Sequence, residues 1–158
     1  DTIVEFENVL GSRFGDRLTG DAQNNVLRGF NGNDIINGGG GRDLLTGGNG
    51  NDTFTLTKPQ DSLLANPDVI TDLNTAWDLI DAPTDINAIN DFGTITDFDQ
   101  VSITNALTSL DANSAAILGF ESRTFVAIND GNVGFDVADD IFIEVTGYAG
   151  DLNNLEIV

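Results

Sequence analysis

The sequence of 158 residues contains no histidine, no cysteine and no methionine. Without histidine and cysteine, the chain cannot form His-ligated zinc sites, Ser-His-Asp triads, thiol nucleophiles or histidine-ligated haem sites. It has no run of 18 apolar residues that would span a membrane and no visible N-terminal signal peptide. Because the sequence lacks methionine, we expect it to be a fragment or a processed product of a longer protein.

Basic residues are also scarce. Six Lys and Arg stand against 26 Asp and Glu, which gives a net charge of −20. This charge disfavours nucleic acid and anionic membrane surfaces as partners. Aspartate supplies 21 of the 26 acidic residues, and aspartate favours turns, helix caps and metal-binding loops. The apolar content of 40% is sufficient for a core, so we expect a folded chain that is rich in turns.

Glycine and acidic residues are unevenly distributed along the chain. Residues 11–50 hold 12 of the 18 glycines. Residues 1–57 carry a net charge of −4 and residues 58–158 a net charge of −16. The composition therefore predicts two regions with a boundary near residue 57.

Residues 11–55 divide without a gap into five nonapeptides that all begin with glycine: GSRFGDRLT, GDAQNNVLR, GFNGNDIIN, GGGGRDLLT and GGNGNDTFT. The residues at position six are Asp16, Asn25, Asp34, Asp43 and Asp52. Those at position eight are Leu18, Leu27, Ile36, Leu45 and Phe54, and Val9 precedes them at the same spacing. Six residues rich in Gly, Asn and Asp favour a turn, and three residues with one apolar side chain favour a very short strand. Two nonapeptides then make one coil, and stacked coils bury position eight between two parallel sheets.

Such a core is thin, because each nonapeptide contributes one apolar side chain. It cannot offset an ordering entropy of roughly 1–2 kcal/mol per residue. Position-six carboxylates of every second nonapeptide stack on the same edge, and two carboxylates with backbone carbonyls suit Ca²⁺ better than Mg²⁺. A flexible Gly-rich linker is the alternative interpretation, but it does not explain an apolar residue at every ninth position.

Three of the nonapeptides, beginning at Gly29, Gly38 and Gly47, match the pattern GGxGxDx(apolar)x. They resemble the calcium-binding repeat of RTX proteins. The first copy is looser at its start, and the second has Asn25 in place of aspartate. The resemblance implies an all-β fold, in which a parallel β-roll over residues 1–57 precedes a β-rich cap over residues 58–158. It also implies Ca²⁺ as the cofactor.

In that family each ion lies between the turns of alternate nonapeptides, and the resemblance implies the ligands here. The first site would use the carbonyls of Ser12, Phe14, Gly29 and Asn31 with Asp16 and Asp34. The second would use the carbonyls of Phe30, Gly32, Gly47 and Asn49 with Asp34 and Asp52. The opposite edge would use the carbonyls of Asp21, Gln23, Gly38 and Gly40 with Asn25 and Asp43. Because Asn25 is neutral, this site should be weaker or need help from the Asp21 side chain. A fourth site would join Gly39, Gly41 and Asp43 to Asp61 in the degenerate turn LTKPQD.

After Pro59 the nonapeptides stop, and we interpret residues 68–82 and 93–104 as short strands separated by polar turns. Residues 104–111 are predicted to form a short helix capped by Thr104 or Asn105. Residues 115–128 and 141–147 are predicted strands. The segments after residue 67 resemble the cap that follows RTX rolls. Four of their acids either hold a further Ca²⁺ or are solvated edge charges: Asp68, Asp72, Asp78 and Asp81.

An acidic turn lies between the last predicted strands and contains Asp130, Asn132, Asp136, Asp139 and Asp140. It lacks the spacing of an EF-hand loop. Asp130-Gly131 favours a hairpin-type turn, and calcium binding is the alternative. Trp77 and Tyr148 are expected to pack in the core rather than to serve as a platform for a ligand.

The runs RTFVAINDGNVGF and IFIEVTGYAGDLNNLEIV resemble the C-terminal end of serralysin-type metalloproteases and, more closely, cyanobacterial RTX surface proteins and exoproteins. The resemblance implies a non-catalytic module of a larger secreted, extracellular or cell-surface protein, which folds on Ca²⁺ after export by the type I secretion machinery. The segment DLNNLEIV resembles type I export signals. It is alternatively an edge strand with Leu155 and Ile157 facing inward.

Two other functions remain open at this point. An adhesin segment, or a module that binds surface polysaccharide, would need an exposed row of aromatic or basic residues. The candidates for a basic row are Arg13, Arg17, Arg28 and Arg42. Paired carboxylates for glycoside hydrolysis are available, but we rank an enzyme last because the repeat carboxylates are already assigned to metal.

Overall fold

The computed structural model describes residues 2–3, 8–129 and 131–158. Within these residues, two sheets face each other across a shared core. The first sheet is parallel throughout. Its strands, in spatial order, are β1 (Thr2–Ile3), β3 (Arg17–Thr19), β5 (Ile35–Asn37), β7 (Thr53–Thr55), β9 (Leu79–Asp81) and β14 (Glu156–Ile157).

The second sheet has a parallel part and a mixed part. The parallel strands are β2 (Asn8–Leu10), β4 (Val26–Asn31), β6 (Leu44–Asn49), β8 (Val69–Ile70) and β13 (Ile141–Val145). The sheet continues through β12 (Arg123–Ile128), β11 (Ser114–Phe120) and β10 (Ala88–Thr94). The pairs β13–β12 and β12–β11 are antiparallel, whereas β10 is parallel to β11.

The repeat region forms the predicted parallel β-roll. Leu18 pairs with Ile36, and Leu27 pairs with Leu45, so each coil consists of two nonapeptides. The position-eight side chains from Leu18 to Phe54 are all buried in the core between the sheets, and Val9 is buried with them. The fold class predicted from the nine-residue period is confirmed.

Both sheets continue beyond the last nonapeptide. Strands β8 and β13 add two rungs to the second sheet, and β9 and β14 add two rungs to the first. Ile70, Ile80 and Ile157 extend the buried core of the roll. The sequence pattern changes near residue 57, as predicted. Both sheets nevertheless continue across this position.

The mixed part of the second sheet is buried on both faces. Alternate residues of β11–β13 face the roll core, as Ile117 and Val126 do, or a second core that contains Leu118 and Phe125. The second core is rich in aromatic rings, and the rings of Phe125 and Phe142 stack with centroids 5.0 Å apart. A helix, α1 (Gln100–Ala106), covers this second core.

The structure corrects the predicted helix. It spans residues 100–106 and not 104–111, because the Asp99 side chain accepts the Ser102 N–H at 2.8 Å and so caps the helix earlier. Neither Thr104 nor Asn105 is the cap. The interpretation of residues 93–104 as short strands is consequently wrong, except at the end of β10.

The other predicted strands are present, with sharper boundaries. Strands β8 and β9 lie within residues 68–82 and are separated by a polar turn. Residues 115–128 form two strands, because Glu121 adopts a left-handed conformation (φ 53°) in the turn between them. Strand β13 ends at Val145 rather than at residue 147.

The two single aromatic residues are not in the core. The Trp77 side chain is 61% exposed and Tyr148 is 40% exposed. Leu73 and Ile80 occupy the core on either side of the turn that carries Trp77. The expectation of core packing is therefore wrong for both residues.

Candidate metal sites along the two edges of the roll

The position-six residues form two stacks, one at each edge of the roll. In each stack, Oδ1 of one aspartate accepts the backbone N–H of the residue one coil earlier. We call these stacks the first-edge ladder and the second-edge ladder. The first-edge ladder consists of Asp16, Asp34, Asp52 and Asp78, joined at 2.7, 2.9 and 2.9 Å. The second-edge ladder consists of Asn25, Asp43 and Asp68, joined at 2.8 and 2.9 Å.

Four of these aspartates each have a carboxylate oxygen that lacks a partner. Oδ2 is buried and forms no hydrogen bond with any described residue in Asp34, Asp43, Asp52 and Asp68. Each of these residues is only 1% exposed. Burying a charged oxygen without a partner is costly unless a cation or a donor compensates it. Oxygens of this kind fit a hard divalent cation such as Ca²⁺.

Backbone carbonyls meet position-six side-chain oxygens beside the first glycine of each of the first three repeats. A Cβ added to Gly29 would collide with Asp34 Oδ2 and lie 2.6 Å from the Gly47 carbonyl oxygen. The two oxygens therefore converge on one place, which only a glycine leaves open. Oδ1 of Asn25 and the Gly38 carbonyl converge in the same way beside Gly20. These pairs combine a side chain of one turn with the position-one carbonyl of the turn one coil later.

The carbonyls at positions two and four are also aligned between coils. Gly39 and Gly41 have φ values of 89° and 111°, which disfavour other residues. An added Cβ at Gly39 would collide with the Asp21 carbonyl oxygen, and one at Gly41 would lie 2.7 Å from that of Gln23. In the stacked turns, each of these carbonyl oxygens of the earlier coil thus lies against a glycine of the next coil.

The structure brings together the residues assigned to the three repeat sites, although several already have hydrogen bonds. The carbonyls of Ser12, Asp21 and Asn49 accept backbone N–H groups of Asn31, Gly40 and Gly32, respectively. Asp16 Oδ2 accepts the Ser12 N–H at 2.6 Å, and Asn25 Oδ1 accepts the Asp21 N–H at 2.8 Å. A carbonyl oxygen has two lone pairs, so a hydrogen bond does not prevent it from binding a cation.

Asp61 does not lie on the second-edge ladder. Its Oδ2 accepts the Thr57 N–H at 2.9 Å, the Thr57 hydroxyl at 2.7 Å and the Lys58 N–H at 3.2 Å. Asp68 occupies the ladder position next to Asp43 instead. The spacing along this edge therefore lengthens from 18 to 25 residues, and on the other edge Asp52 and Asp78 are 26 residues apart.

The sequence does contain a signal for these two ladder residues. In each repeat, the residue two positions after position six is apolar and buried. Asp68-Val69-Ile70 and Asp78-Leu79-Ile80 keep this arrangement. A search for an aspartate followed by an apolar pair, without a fixed spacing of nine, finds both.

The remaining acidic candidates are dispersed. Asp72 accepts the N–H groups of Gly47 and Gly48 at 3.0 and 2.8 Å, and Asp81 lies partly buried in β9. Asp68, Asp72, Asp78 and Asp81 therefore do not converge. Within residues 2–3, 8–129 and 131–158, no three acidic side chains form a metal-binding group, so each candidate site has two ladder side chains and backbone carbonyls.

Residues 131–140 of the acidic turn are held by their own hydrogen bonds. Asp140 Oδ2 accepts the Asp136 N–H at 2.6 Å, and Asp136 Oδ1 accepts the Ala138 N–H at 2.9 Å. Asp130 and its predicted hairpin turn lie outside the described residues. The calcium-binding alternative for this turn stays a prediction.

Burial raises the pKa of several ladder carboxyls. The pKa of Asp43 and that of Asp52 rise to about 6, and the pKa of Asp68 rises to about 8. Burial also raises the pKa of Asp34 and that of Asp78, whereas a hydrogen bond from Ser12 lowers the pKa of Asp16. The ladders thus hold negative charge at a cost that a bound cation would relieve.

Comparison with known proteins agrees with this geometry. Residues 10–45 and 28–56 match the family model of the RTX calcium-binding nonapeptide repeat, which has four copies. No curated protein sequence matches the chain significantly. The fit to the repeat model covers the part of the chain that carries the glycine-lined turns.

Two solved structures with a similar fold are subunits of the mannuronan C5-epimerase from Azotobacter vinelandii. The AlgE6R2 subunit has a TM-score of 0.53 and 21% identity, over 100% of this chain and 92% of that one. The AlgE6R3 subunit has a TM-score of 0.48 and 22% identity, over 94% of this chain and 80% of that one. The first similarity supports the fold. Within the described residues, no helix has the length and apolarity required to cross a membrane.

Proposed function

Because residues 10–56 match the RTX calcium-binding nonapeptide repeat, we propose that the chain is a non-catalytic module that folds on binding Ca²⁺. The observation that carries this proposal is the set of four buried aspartates whose Oδ2 atoms have no partner in the described structure. One apolar side chain per nonapeptide gives a thin core, so the fold of the repeats depends on neutralising these charges.

We assign the three repeat sites to the ladder pairs Asp16–Asp34, Asp34–Asp52 and Asn25–Asp43, with carbonyls of the stacked turns. Bound Ca²⁺ would neutralise the carboxylates and link successive coils. Because the unfolded chain has no such preformed sites, the free energy of binding adds to the free energy of folding. Asp34 belongs to two pairs and is central to this assignment.

Circular dichroism of the full chain in EDTA and in millimolar Ca²⁺ tests this proposal. We expect Ca²⁺ to increase the strand signal and to raise the temperature of the thermal transition, and millimolar Mg²⁺ to substitute poorly because Mg²⁺ demands strict octahedral geometry. An equally structured and equally heat-stable protein in EDTA would show that folding does not need calcium.

We further propose that the module is secreted through a type I exporter and folds outside the cell. Extracellular calcium sites commonly have Kd values of ~10⁻⁴–10⁻³ M, so such sites would fill outside the cell and stay largely empty inside. Leu155 and Ile157 are buried and β14 pairs with β9. The exporter would therefore have to bind the segment DLNNLEIV before it folds.

Secretion can be tested by fusing residues 1–158 to a passenger in cells with a type I exporter. A parallel fusion lacks residues 151–158. We expect only the longer fusion to reach the medium. Equal amounts of both in the medium would contradict an export role for this terminal segment.

The cleft beside Trp77 favours glycan binding as a second candidate function. The cleft has a volume of about 420 Å³ and contains Asn49, Asn51 and Asn74 beside the exposed indole. A flat aromatic ring with neighbouring amides suits a sugar ring, and the net charge of −20 favours a neutral sugar. The arginine row is less favourable, because Arg42 lies 3.4 Å from Glu144.

Trp77 is the only tryptophan, so its fluorescence reports directly on this cleft. We expect titration with neutral oligosaccharides to shift the emission, and Trp77→Phe to weaken binding measured by calorimetry. Tyr148→Phe serves as the control variant. A mannuronan oligomer serves as the acidic probe, since the epimerase subunits share the fold. No change with any of these glycans would argue against this function.

A further inference from the structure

We propose that the second-edge ladder holds an additional calcium site between Asp43 and Asp68, at the junction of the last repeat and the following coil. This inference rests on the proposed calcium binding by the repeats, but it concerns a residue outside them. Asp68 lies well beyond the segment that matches the repeat model, which ends at residue 56.

The five ladder pairs differ in how many of their side chains have a second oxygen without a partner. In three pairs one member already has a donor: Asp16 accepts from Ser12, Asn25 from Asp21, and Asp78 from Asn74. Two pairs have an unpartnered buried Oδ2 on both members, and these are Asp34–Asp52 and Asp43–Asp68. In its unpartnered Oδ2 atoms, the junction pair therefore matches the Asp34–Asp52 pair and differs from the other three.

The carboxylate of Asp68 is fixed in place by its surroundings. The Asp68 N–H donates to Ser62 Oγ at 2.8 Å, and Ser62 Oγ donates to the Phe142 carbonyl at 2.8 Å. The following residues, Val69 and Ile70, pair with β6 on one side and β13 on the other. Such positioning means that little reorganisation is needed to bind an ion.

The junction also concentrates negative charge. Asp43, Asp61 and Asp68 are each at most 2% exposed, and the charge of Asp61 acts on both of the others. Lys58 Nζ lies 3.6 Å from Asp61, but its side chain is 60% exposed. Arg42 also acts on Asp68, but it pairs with Glu144 at 3.4 Å. Lys58 alone does not balance three buried carboxylates, whereas a divalent cation beside Asp43 and Asp68 would complete the balance. The carbonyls of Gly39 and Gly41 supply the earlier-turn ligands that the repeat pattern assigns.

Equilibrium dialysis of the full chain against saturating Ca²⁺ tests the site by counting bound ions. Asp68→Asn removes the charge and keeps an oxygen that can accept the Asp43 N–H. Asp111→Asn removes the same charge from an exposed residue and is the matched control. We expect Asp68→Asn to bind one ion fewer than the wild type, and Asp111→Asn to bind the wild-type number.

An unchanged count and affinity in Asp68→Asn would overturn the junction site and leave the repeat sites intact. A wild-type chain that binds no Ca²⁺ would instead overturn the proposed function itself. The two failures are therefore distinguishable.

A second measurement does not depend on the folding of a variant. In crystals of the wild-type chain grown with Ca²⁺, we expect an anomalous peak about 2.3–2.6 Å from oxygens of Asp43 and Asp68. Peaks in the repeat turns without one at this junction would refute the inference.

Discussion

The repeat region and the mixed part of the second sheet are stabilised in different ways. Between Leu18 and Phe54, each nonapeptide buries one apolar side chain, and the turns bury aspartates. In β11–β13, successive residues are buried on both faces of the sheet, and one face carries a cluster of phenylalanine rings. A roll of this kind depends on a ligand for its turns, whereas the mixed sheet depends on apolar burial.

Two ion pairs of the buried Glu144 side chain, with the more exposed Arg42 and Arg123, connect these regions. Glu144 of β13 accepts from Arg123 Nε at 2.9 Å and from Arg123 Nη2 at 2.7 Å, and Arg42 of the fourth repeat lies 3.4 Å away. The Arg123 guanidinium also lies over the rings of Phe98 and Phe125, at 4.8 and 4.7 Å from their centroids. The two regions are thus joined by polar contacts as well as by the shared sheets.

Removal of calcium is the change that should separate the two regions most strongly. We expect hydrogen exchange in EDTA to lose protection throughout β2–β7, and to retain more protection in β11–β13. The reason is that only the former region buries carboxylates without partners. Mass spectrometry of peptides from residues 17–55 and 114–145 measures this difference. Equal loss in both regions would mean that calcium controls the whole chain as one unit.

Substitution of Asp34 should lower the free energy of unfolding by at least as much as the loss of one calcium site. Asp34→Ala removes a carboxylate that belongs to two ladder pairs, and breaking a buried charge pair costs about 3–5 kcal/mol. Asp136→Ala changes an exposed residue of the acidic turn and removes one hydrogen bond from the Ala138 N–H, where an effect of about 1 kcal/mol is expected. Thermal melts in Ca²⁺ provide the comparison. A larger effect at Asp136 would show that the ladder sites are misassigned.

The effect of pH should have opposite signs with and without calcium. Without the ion, burial raises the pKa of Asp43 and Asp52 to about 6 and that of Asp68 to about 8, from 3.8. The folded state then holds more protons than the unfolded state, so its stability is greatest below pH 4 for these groups. It falls as the pH rises to 8, by up to about 1.4 kcal/mol per unit of pKa elevation.

Calcium binds the deprotonated carboxylates, so the stabilisation by Ca²⁺ should grow over the same pH range. Circular dichroism in EDTA should show more strand signal at pH 4.5 than at pH 7.5, and the increase on adding Ca²⁺ should be larger at pH 7.5. A chelated chain that becomes more structured as the pH rises would contradict the charge argument.

The smallest expected effect comes from a matched pair of core substitutions. Ile36→Val in the roll and Ile103→Val in helix α1 each delete one buried methylene, which costs about 0.5–1.5 kcal/mol. Both residues are fully buried. We expect the cost of Ile36→Val to appear only when Ca²⁺ has folded the roll, and that of Ile103→Val to persist in EDTA. If the stability cost of both substitutions appeared only with Ca²⁺, the second core would not fold by itself.

The nine-residue period was sufficient to predict the roll because it specifies both the turn and the buried residue. Leu18, Leu27 and Ile36 had to face the core once the turns stacked. Beyond residue 57 the spacing is irregular, so a search for a fixed period missed Asp68 and Asp78 on the ladders, although both keep their apolar neighbours.

The start of helix α1 and the position of Trp77 depended on contacts that the sequence pattern did not specify. The Asp99 side chain determines where helix α1 begins, and the predicted caps lay more than one helical turn further on. Trp77 was expected in the core, but it lies in the turn between Leu73 and Ile80, which are buried in the roll core. Tertiary packing therefore decided these features.

The change in ladder spacing from 18 to 25 and 26 residues has a consequence for chain length. The rungs are aligned by the hydrogen bonds that join Asp68 to Asp43 and Asp78 to Asp52, whatever the number of residues between them. The surplus residues are accommodated outside the rungs, as in the segment 57–67. Closing a loop of twice the length costs only about 0.6 kcal/mol more. Insertions at the exposed Ala65 and Asn66 of that segment should therefore be tolerated, whereas a single added residue between Gly38 and Asp43 would move a carboxylate off its edge.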